Sequence, residues 1–210
     1  MDAMIMISNK AKKAGKAMAL HTHFNHPNEI SWITKLACQK LSEAGVMVRN
    51  QTVLLRGIND DVDTMSRLIR DLADMSVFPV SETPNPRRNL FAWSWRLTRP
   101  QYYVYQCDMV EKVEHLRTPV QTLLDLEAQI RGSIAGFMMP QFIVDLPGGG
   151  GKRLACSFKS YDRKTGRSTF EAPAVKGRDK ENKVYEYWDP ISSLPANEDS
   201  GSANEGSGSA

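Results

Sequence analysis

The 210-residue chain has no apolar run approaching the ~18 residues that a membrane span needs. Residues 1–16 lack the apolar core and cleavage site of a secretory signal. The expected location is therefore cytoplasmic, with an organellar compartment left open and no membrane partner. Charge of one sign is also scarce. The net charge is only +3, and the basic residues are scattered apart from Lys10, Lys12, Lys13 and Lys16. That argues against a nucleic-acid partner and reads as a solvated helix face. Cysteine is sparse and odd in number: Cys38, Cys107 and Cys156 lie far apart. Such usage points to reduced thiols rather than a disulfide framework. The last stretch, 195–210, is rich in Ser, Gly, Asn and Glu and is expected to be disordered.

What is present fits a soluble globular protein, with 41% hydrophobic and 24% charged residues. The length suffices for one domain with a sizeable core. Ala17 to His23 reads as a strand, and Ser31 to Ala44 as a helix with Trp32, Ile33, Leu36, Ala37 and Leu41 on one stripe. Val46 to Leu55 reads as the next strand. Asp61 or Asp63 can cap a helix running to about Met75, with Met65, Leu68, Ile69 and Leu72 as its apolar face. Tyr102 to Cys107 is a third strand. Thr118 is an expected N-cap, with Pro119 opening a helix that Gly132 ends. Strand followed by helix, repeated, implies parallel βαβ units and an α/β fold. Beyond Arg153 the chain turns polar, with short strands expected in Leu154 to Tyr161, Ser168 to Ala172 and Lys183 to Trp188.

The most informative stretch is Asp145-Leu146-Pro147-Gly148-Gly149-Gly150-Gly151-Lys152. The apolar run Gln141 to Leu146 reads as a buried strand that ends in this loop. Four consecutive glycines cost backbone entropy on folding and need a steric reason. The spacing does not match a phosphate-binding P-loop, because Leu146 and Arg153 stand where Gly and Ser or Thr are required. Two readings remain: a lysine that forms an imine with an aldehyde cofactor, or a surface turn with a solvated lysine.

This loop resembles the lysine 2,3-aminomutase family, which uses a radical derived from S-adenosylmethionine together with pyridoxal phosphate. The resemblance extends to Thr22-His23-Phe24-Asn25-His26-Pro27-Asn28-Glu29 and to the segment from Asn50-Gln51-Thr52 through Arg56-Gly57-Ile58-Asn59-Asp60-Asp61. It also covers Tyr102-Tyr103-Val104-Tyr105-Gln106-Cys107-Asp108 and His115-Leu116-Arg117-Thr118-Pro119, all in the family's order. It implies the later half of a partial (β/α) radical-S-adenosylmethionine barrel. By this resemblance Lys152 is the lysine that carries pyridoxal phosphate, with Gly148, Gly149, Gly150 and Gly151 letting the loop approach it. Tyr105 would pack near the pyridoxal ring, and His23 and Gln51 would contact S-adenosylmethionine. Asp108 and Asp145 would hold the side-chain ammonium of lysine or a lysine-like substrate. The implied reaction moves an amino group from the α to the β carbon, driven by a 5′-deoxyadenosyl radical. A family homo-oligomer is compatible with this. The family's [4Fe–4S] cluster sits on a Cys-x₃-Cys-x₂-Cys motif, and no two cysteines here have that spacing. The chain is therefore expected to be inactive alone.

The expected organisation is a partial barrel over 1–152, an extension over 153–194 and a tail over 195–210. Residues 80–101 interrupt it, where the family has nothing, and deleting them restores the family's spacing. They read as a retained intron: Val80-Ser81 can be encoded by a GTGAGT donor and Gln101 by a CAG acceptor. The other reading is a genuine surface loop with two tryptophans. Two further functional readings stay open. One is a non-catalytic fragment or partner-binding remnant. The other is a metal-dependent barrel hydrolase built on the His21-Thr22-His23 pair, whose side chains share one strand face.

Overall fold

The computed structural model describes residues 1–75, 77–79, 103–136, 138–171 and 183–195. The expected tail beyond Pro195 and the residues of the insert lie outside the described residues. The fold is α/β. Helix α1 (Asp2–Lys13) precedes strand β1 (Ala19–Thr22), helix α2 (Trp32–Glu43), strand β2 (Met47–Leu54) and helix α3 (Val62–Asp74). Then come β3 (Phe78–Pro79), β4 (Tyr103–Gln106), helix α4 (Val120–Ile130), β5 (Gln141–Leu146) and β6 (Gly151–Leu154). The described chain ends with β7 (Ser160–Asp162), β8 (Arg167–Glu171) and β9 (Val184–Trp188).

The main sheet has the order β1-β2-β4-β5-β6, with β3 also paired to β2. It is parallel except for the β5–β6 hairpin. β7, β8 and β9 form a small antiparallel sheet. The mostly parallel sheet with its helices is compatible with a partial α/β fold. The pairing along β2 is informative. Arg49 and Asn50 pair with Phe78 and Pro79, and the next two residues, Gln51 and Thr52, pair with Tyr103 and Val104. β2 advances by one residue while the partner chain jumps from 79 to 103. The two segments thus occupy successive positions of one strand, interrupted by residues 80–102.

Strand alternation sorts the sheet into two faces. Val48, Leu54, Val104, Phe142, Val144 and Leu146 are buried and belong to the core. Met65, Leu68, Ile69 and Leu72 of α3 and Val120, Leu123, Leu126 and Ile130 of α4 complete it. The stripe expected on α2 is corrected. Trp32 is 74% exposed and Ile33 59%, while Cys38 and Leu41 are buried. At 100° per residue Trp32 and Leu41 lie on opposite sides of the helix, so one face cannot bury both.

Helix starts separate what local sequence controls from what it does not. Ser31 and Asp61 cap their helices through the backbone N–H groups of Thr34 (3.2 Å) and Thr64 (2.8 Å). Thr118 does not cap α4. The N-cap is Pro119, and Thr118 accepts from the buried Gln106 amide instead. The open Val120 N–H is taken by the carboxylate of Asp189 at 2.8 Å, from 69 residues downstream. Arg117 donates to the Tyr187 hydroxyl at 3.1 Å and to the Trp188 carbonyl, and Tyr187 donates to the Cys107 carbonyl at 3.1 Å. Phe170, Tyr185 and Tyr187 enter the same hydrophobic core. The carboxyl-terminal sheet is thereby fastened to the exit of β4 and the start of α4.

Candidate functional site

The sheet face turned away from the core carries the chemistry. Along β2 the residues on this side are Arg49, Gln51 and Val53, and along β4 they are Tyr103 and Tyr105. The register sets Gln51 opposite Tyr103 and Val53 opposite Tyr105. On β5, Asp145 stands opposite Lys152 of β6. His21 of β1 stands opposite Arg49.

Lys152 is exposed, but its ammonium is held in place. Its Nζ donates to the Tyr105 hydroxyl at 2.7 Å, and Gln51 Nε2 donates to the same oxygen at 3.3 Å. The ammonium lies 4.7 Å from the centre of the Tyr105 ring and 6.0 Å from that of Tyr103. The two rings meet edge to face at 5.6 Å. Burial works to lower the Lys152 pKa, but the Tyr105 hydroxyl and the nearby Asp145 carboxylate outweigh it and raise it above the ordinary value. Burial raises the Tyr105 hydroxyl, with Lys152 opposing. Lys152 is therefore an oriented cation at neutral pH, and its proton must leave before the amine can attack a carbonyl.

Asp108 follows the end of β4 at the mouth of this face. Desolvation raises its pKa, the Asp145 carboxylate raises it further, and Lys152 opposes both. Asp108 thus feels both Asp145 and Lys152. Neither closes an ion pair with Lys152 among the described residues, which leaves both carboxylates free for a cationic ligand.

His23 is exposed just past β1 and makes no side-chain hydrogen bond among the described residues. It is near enough to His21 to lower that imidazole's pKa, after burial and Arg49. Among the described residues no three His, Cys, Asp or Glu side chains are placed to hold a metal ion. The His21–His23 pair accordingly has no third protein ligand there.

The glycines have local reasons to be glycine. Gly148, Gly149 and Gly151 adopt φ of 69°, 85° and 74°. Gly150 has an ordinary φ, but a Cβ there would come within 2.7 Å of Leu146 Cβ and of Tyr185 Cγ. The loop is pinned against the carboxyl-terminal sheet.

Sequence reasoning missed Arg49 and Tyr103 as members of this face. The signal was available, because each lies two residues before a residue already singled out on the same strand. Asn50, Thr52 and Asn59 are structural. Asn50 Oδ1 accepts from the Phe24 N–H at 2.7 Å, Thr52 Oγ1 donates to the Phe24 carbonyl at 2.9 Å and Asn59 Nδ2 donates to the Asn25 carbonyl at 2.7 Å. They bind the loop after β1 onto β2.

No family model matches the chain. Three curated proteins show where it stands. It is 45% identical over 133 residues to the L-lysine 2,3-aminomutase of Fusobacterium nucleatum, a span that covers 63% of this chain and 26% of that protein. It is 41% identical over 133 residues to the Bacillus subtilis L-lysine 2,3-aminomutase, covering 63% of this chain and 24% of the relative. The chain is related to the lysine 2,3-aminomutases. A Clostridioides difficile glutamate 2,3-aminomutase is 37% identical over 133 residues, covering 63% of this chain and 26% of the relative. These aminomutases are several times longer than the matched region, so the chain spans about a quarter of each.

Proposed function

We propose that this chain carries the pyridoxal-phosphate and lysine-binding face of an L-lysine 2,3-aminomutase-like isomerase. One observation supports this most: Lys152, held by Tyr105, stands on the sheet face away from the core, near two carboxylates, Asp108 and Asp145, that form no ion pair among the described residues. The likeness to named aminomutases adds the reaction class.

The residues fit pyridoxal phosphate. The Lys152 amine is oriented, two aromatic rings lie within 4.7 and 6.0 Å of it, and no carboxylate neutralises it within ion-pair distance among the described residues. When bound, the cofactor supplies an aldehyde that takes an amine and a ring that accepts electron density. Lys152 is the attachment point, and Tyr105 holds its Nζ and limits its rotamers. Asp108 and Asp145 accept charge-assisted hydrogen bonds from a side-chain ammonium, which fixes the far end of lysine. S-adenosylmethionine would meet Gln51 and His23, of which only Gln51 reaches the Tyr105–Lys152 pair.

The residues do not fit a [4Fe–4S] cluster. Cys38 and Cys107 are buried and Cys156 is exposed, and none belongs to a metal-holding group among the described residues. No step is derived through the cluster. The face therefore reads as one that binds cofactor and substrate without making the radical on its own residues. Titration with pyridoxal phosphate tests the reading. An absorbance band at about 400–430 nm is expected in the wild type and absent in Lys152→Ala. Equal bands in both would overturn it.

A further inference from the structure

Arg49 lies on the same face and has no assigned task. It is 8% exposed. Its Nε donates to the Met47 sulfur at 3.1 Å, a weak acceptor, and no carboxylate lies within ion-pair distance of it among the described residues. A mostly buried guanidinium with no counter-charge among the described residues is costly to keep. A protein keeps such a group where an anion completes it.

The surroundings carry the same sign. His21, the cross-strand neighbour of Arg49, has its pKa lowered by burial first and then by Arg49, His23 and Lys152. Every charged group acting on it is cationic. The acids of the face, Asp108 and Asp145, sit towards Lys152 and the loop beyond β4. The face thus has a cationic side around Arg49 and His21 and an anionic side at Asp108 and Asp145.

We infer that Arg49 is an oxyanion-binding residue of this site, taking a carboxylate or phosphate group of the bound ligand through its planar fork of donors. The inference rests on the reading of the face as a cofactor and amino-acid site. Two sources offer that chemistry: the phosphate of the aldehyde cofactor and the carboxylate of the amino acid. A lysine bound across the face would put its carboxylate towards Arg49 and its ammonium towards the acids.

The test compares wild type, Arg49→Met and Arg49→Lys, with thermal unfolding as the folding control. Imine absorbance is titrated with pyridoxal phosphate and with pyridoxal, which lacks the phosphate. The loaded proteins are then titrated with L-lysine and with 1,5-diaminopentane, which lacks the carboxylate. If Arg49 holds phosphate, Arg49→Met weakens pyridoxal phosphate roughly tenfold or more and spares pyridoxal. If it holds the carboxylate, both aldehydes are unaffected, L-lysine weakens roughly tenfold and diaminopentane does not. Arg49→Lys should fall between, because an ammonium cannot reproduce the fork, and it serves alone should Arg49→Met fail to fold. Unchanged affinity for all four ligands overturns the inference. A wild type that binds neither aldehyde sinks the cofactor reading instead. Arg49 is then judged with inorganic phosphate: thermal stabilisation present in wild type and lost in the variants supports it, and equal behaviour overturns it.

Discussion

At the scale of single residues, the Tyr105–Lys152 hydrogen bond sets both the orientation and the proton affinity of the amine. Because the bond raises the Lys152 pKa, the neutral amine is scarcer at a given pH than for an ordinary lysine. Capture of pyridoxal phosphate should therefore accelerate with rising pH into the alkaline range. Tyr105→Phe removes the acceptor, lowers the lysine pKa and should shift the whole pH–rate profile towards lower pH, even if the final complex is weaker. Stopped-flow absorbance across pH checks this, and an unshifted profile would show that Tyr105 does not control the proton. Gly150 makes a second residue-scale prediction. A Cβ there collides with Leu146 and Tyr185, so Gly150→Ala should cost about 1–3 kcal/mol in denaturant unfolding.

At the scale of elements, the interrupted strand and the long-range cap decide most. β3 and β4 continue one another along β2, so the sheet does not need the residues between them. Deleting 80–102 should leave the circular-dichroism spectrum unchanged. It should keep or raise the melting temperature, since loop closure is worth at most about 3 kcal/mol for such a length. A collapsed spectrum would show that the segment belongs to the fold. If the retained-intron reading holds, mature transcripts will also lack codons 80–101. Asp189→Ala takes away the partner of both the Val120 N–H and the Tyr161 hydroxyl, the latter at 2.6 Å. The expected loss is about 2 kcal/mol in chemical unfolding, whereas a change within experimental error would place the α4 cap elsewhere. The spans of α2, β2, α3 and β5 were legible in the sequence because period and caps are local. The capping of α4 was not. Thr118-Pro119 has the right chemistry, but a buried Gln106 claims Thr118 and a distant carboxylate does the capping. The exposed side of α2 was misjudged for a different reason: Trp32, Ile33 and Leu36 are apolar, yet the helix turns Cys38 and Leu41 inward.

At the scale of the molecule, helices α3 and α4 pack on one face of a mostly parallel sheet, and the other face carries Gln51, Tyr105, Asp145 and Lys152. That division places Lys152, Tyr105, Gln51, Asp145 and Asp108 together although they span a hundred residues of sequence. Alternation along each strand marks which side a residue takes, but only the cross-strand register brings Tyr103 beside Gln51 and Asp145 beside Lys152. The two acids and the cofactor role of Lys152 came from the resemblance, whereas Arg49 and Tyr103, each two residues before a residue already singled out on the same strand, were passed over. The glycine loop illustrates the same limit. Its run of glycines reads as room for a ligand, and the packing shows an additional demand from Tyr185 of the small sheet. The proposed reaction class comes from the likeness to the aminomutases, and we place it on the face that carries Lys152. The central claim is that Lys152 is the cofactor lysine. Its most direct test is to incubate the chain with pyridoxal phosphate, reduce with borohydride and map the modified peptide by mass spectrometry. The account predicts a single pyridoxyl label on Lys152 that survives in Arg49→Lys and vanishes in Lys152→Ala. A label spread over the exposed lysines of α1, or concentrated on any other lysine, would contradict it.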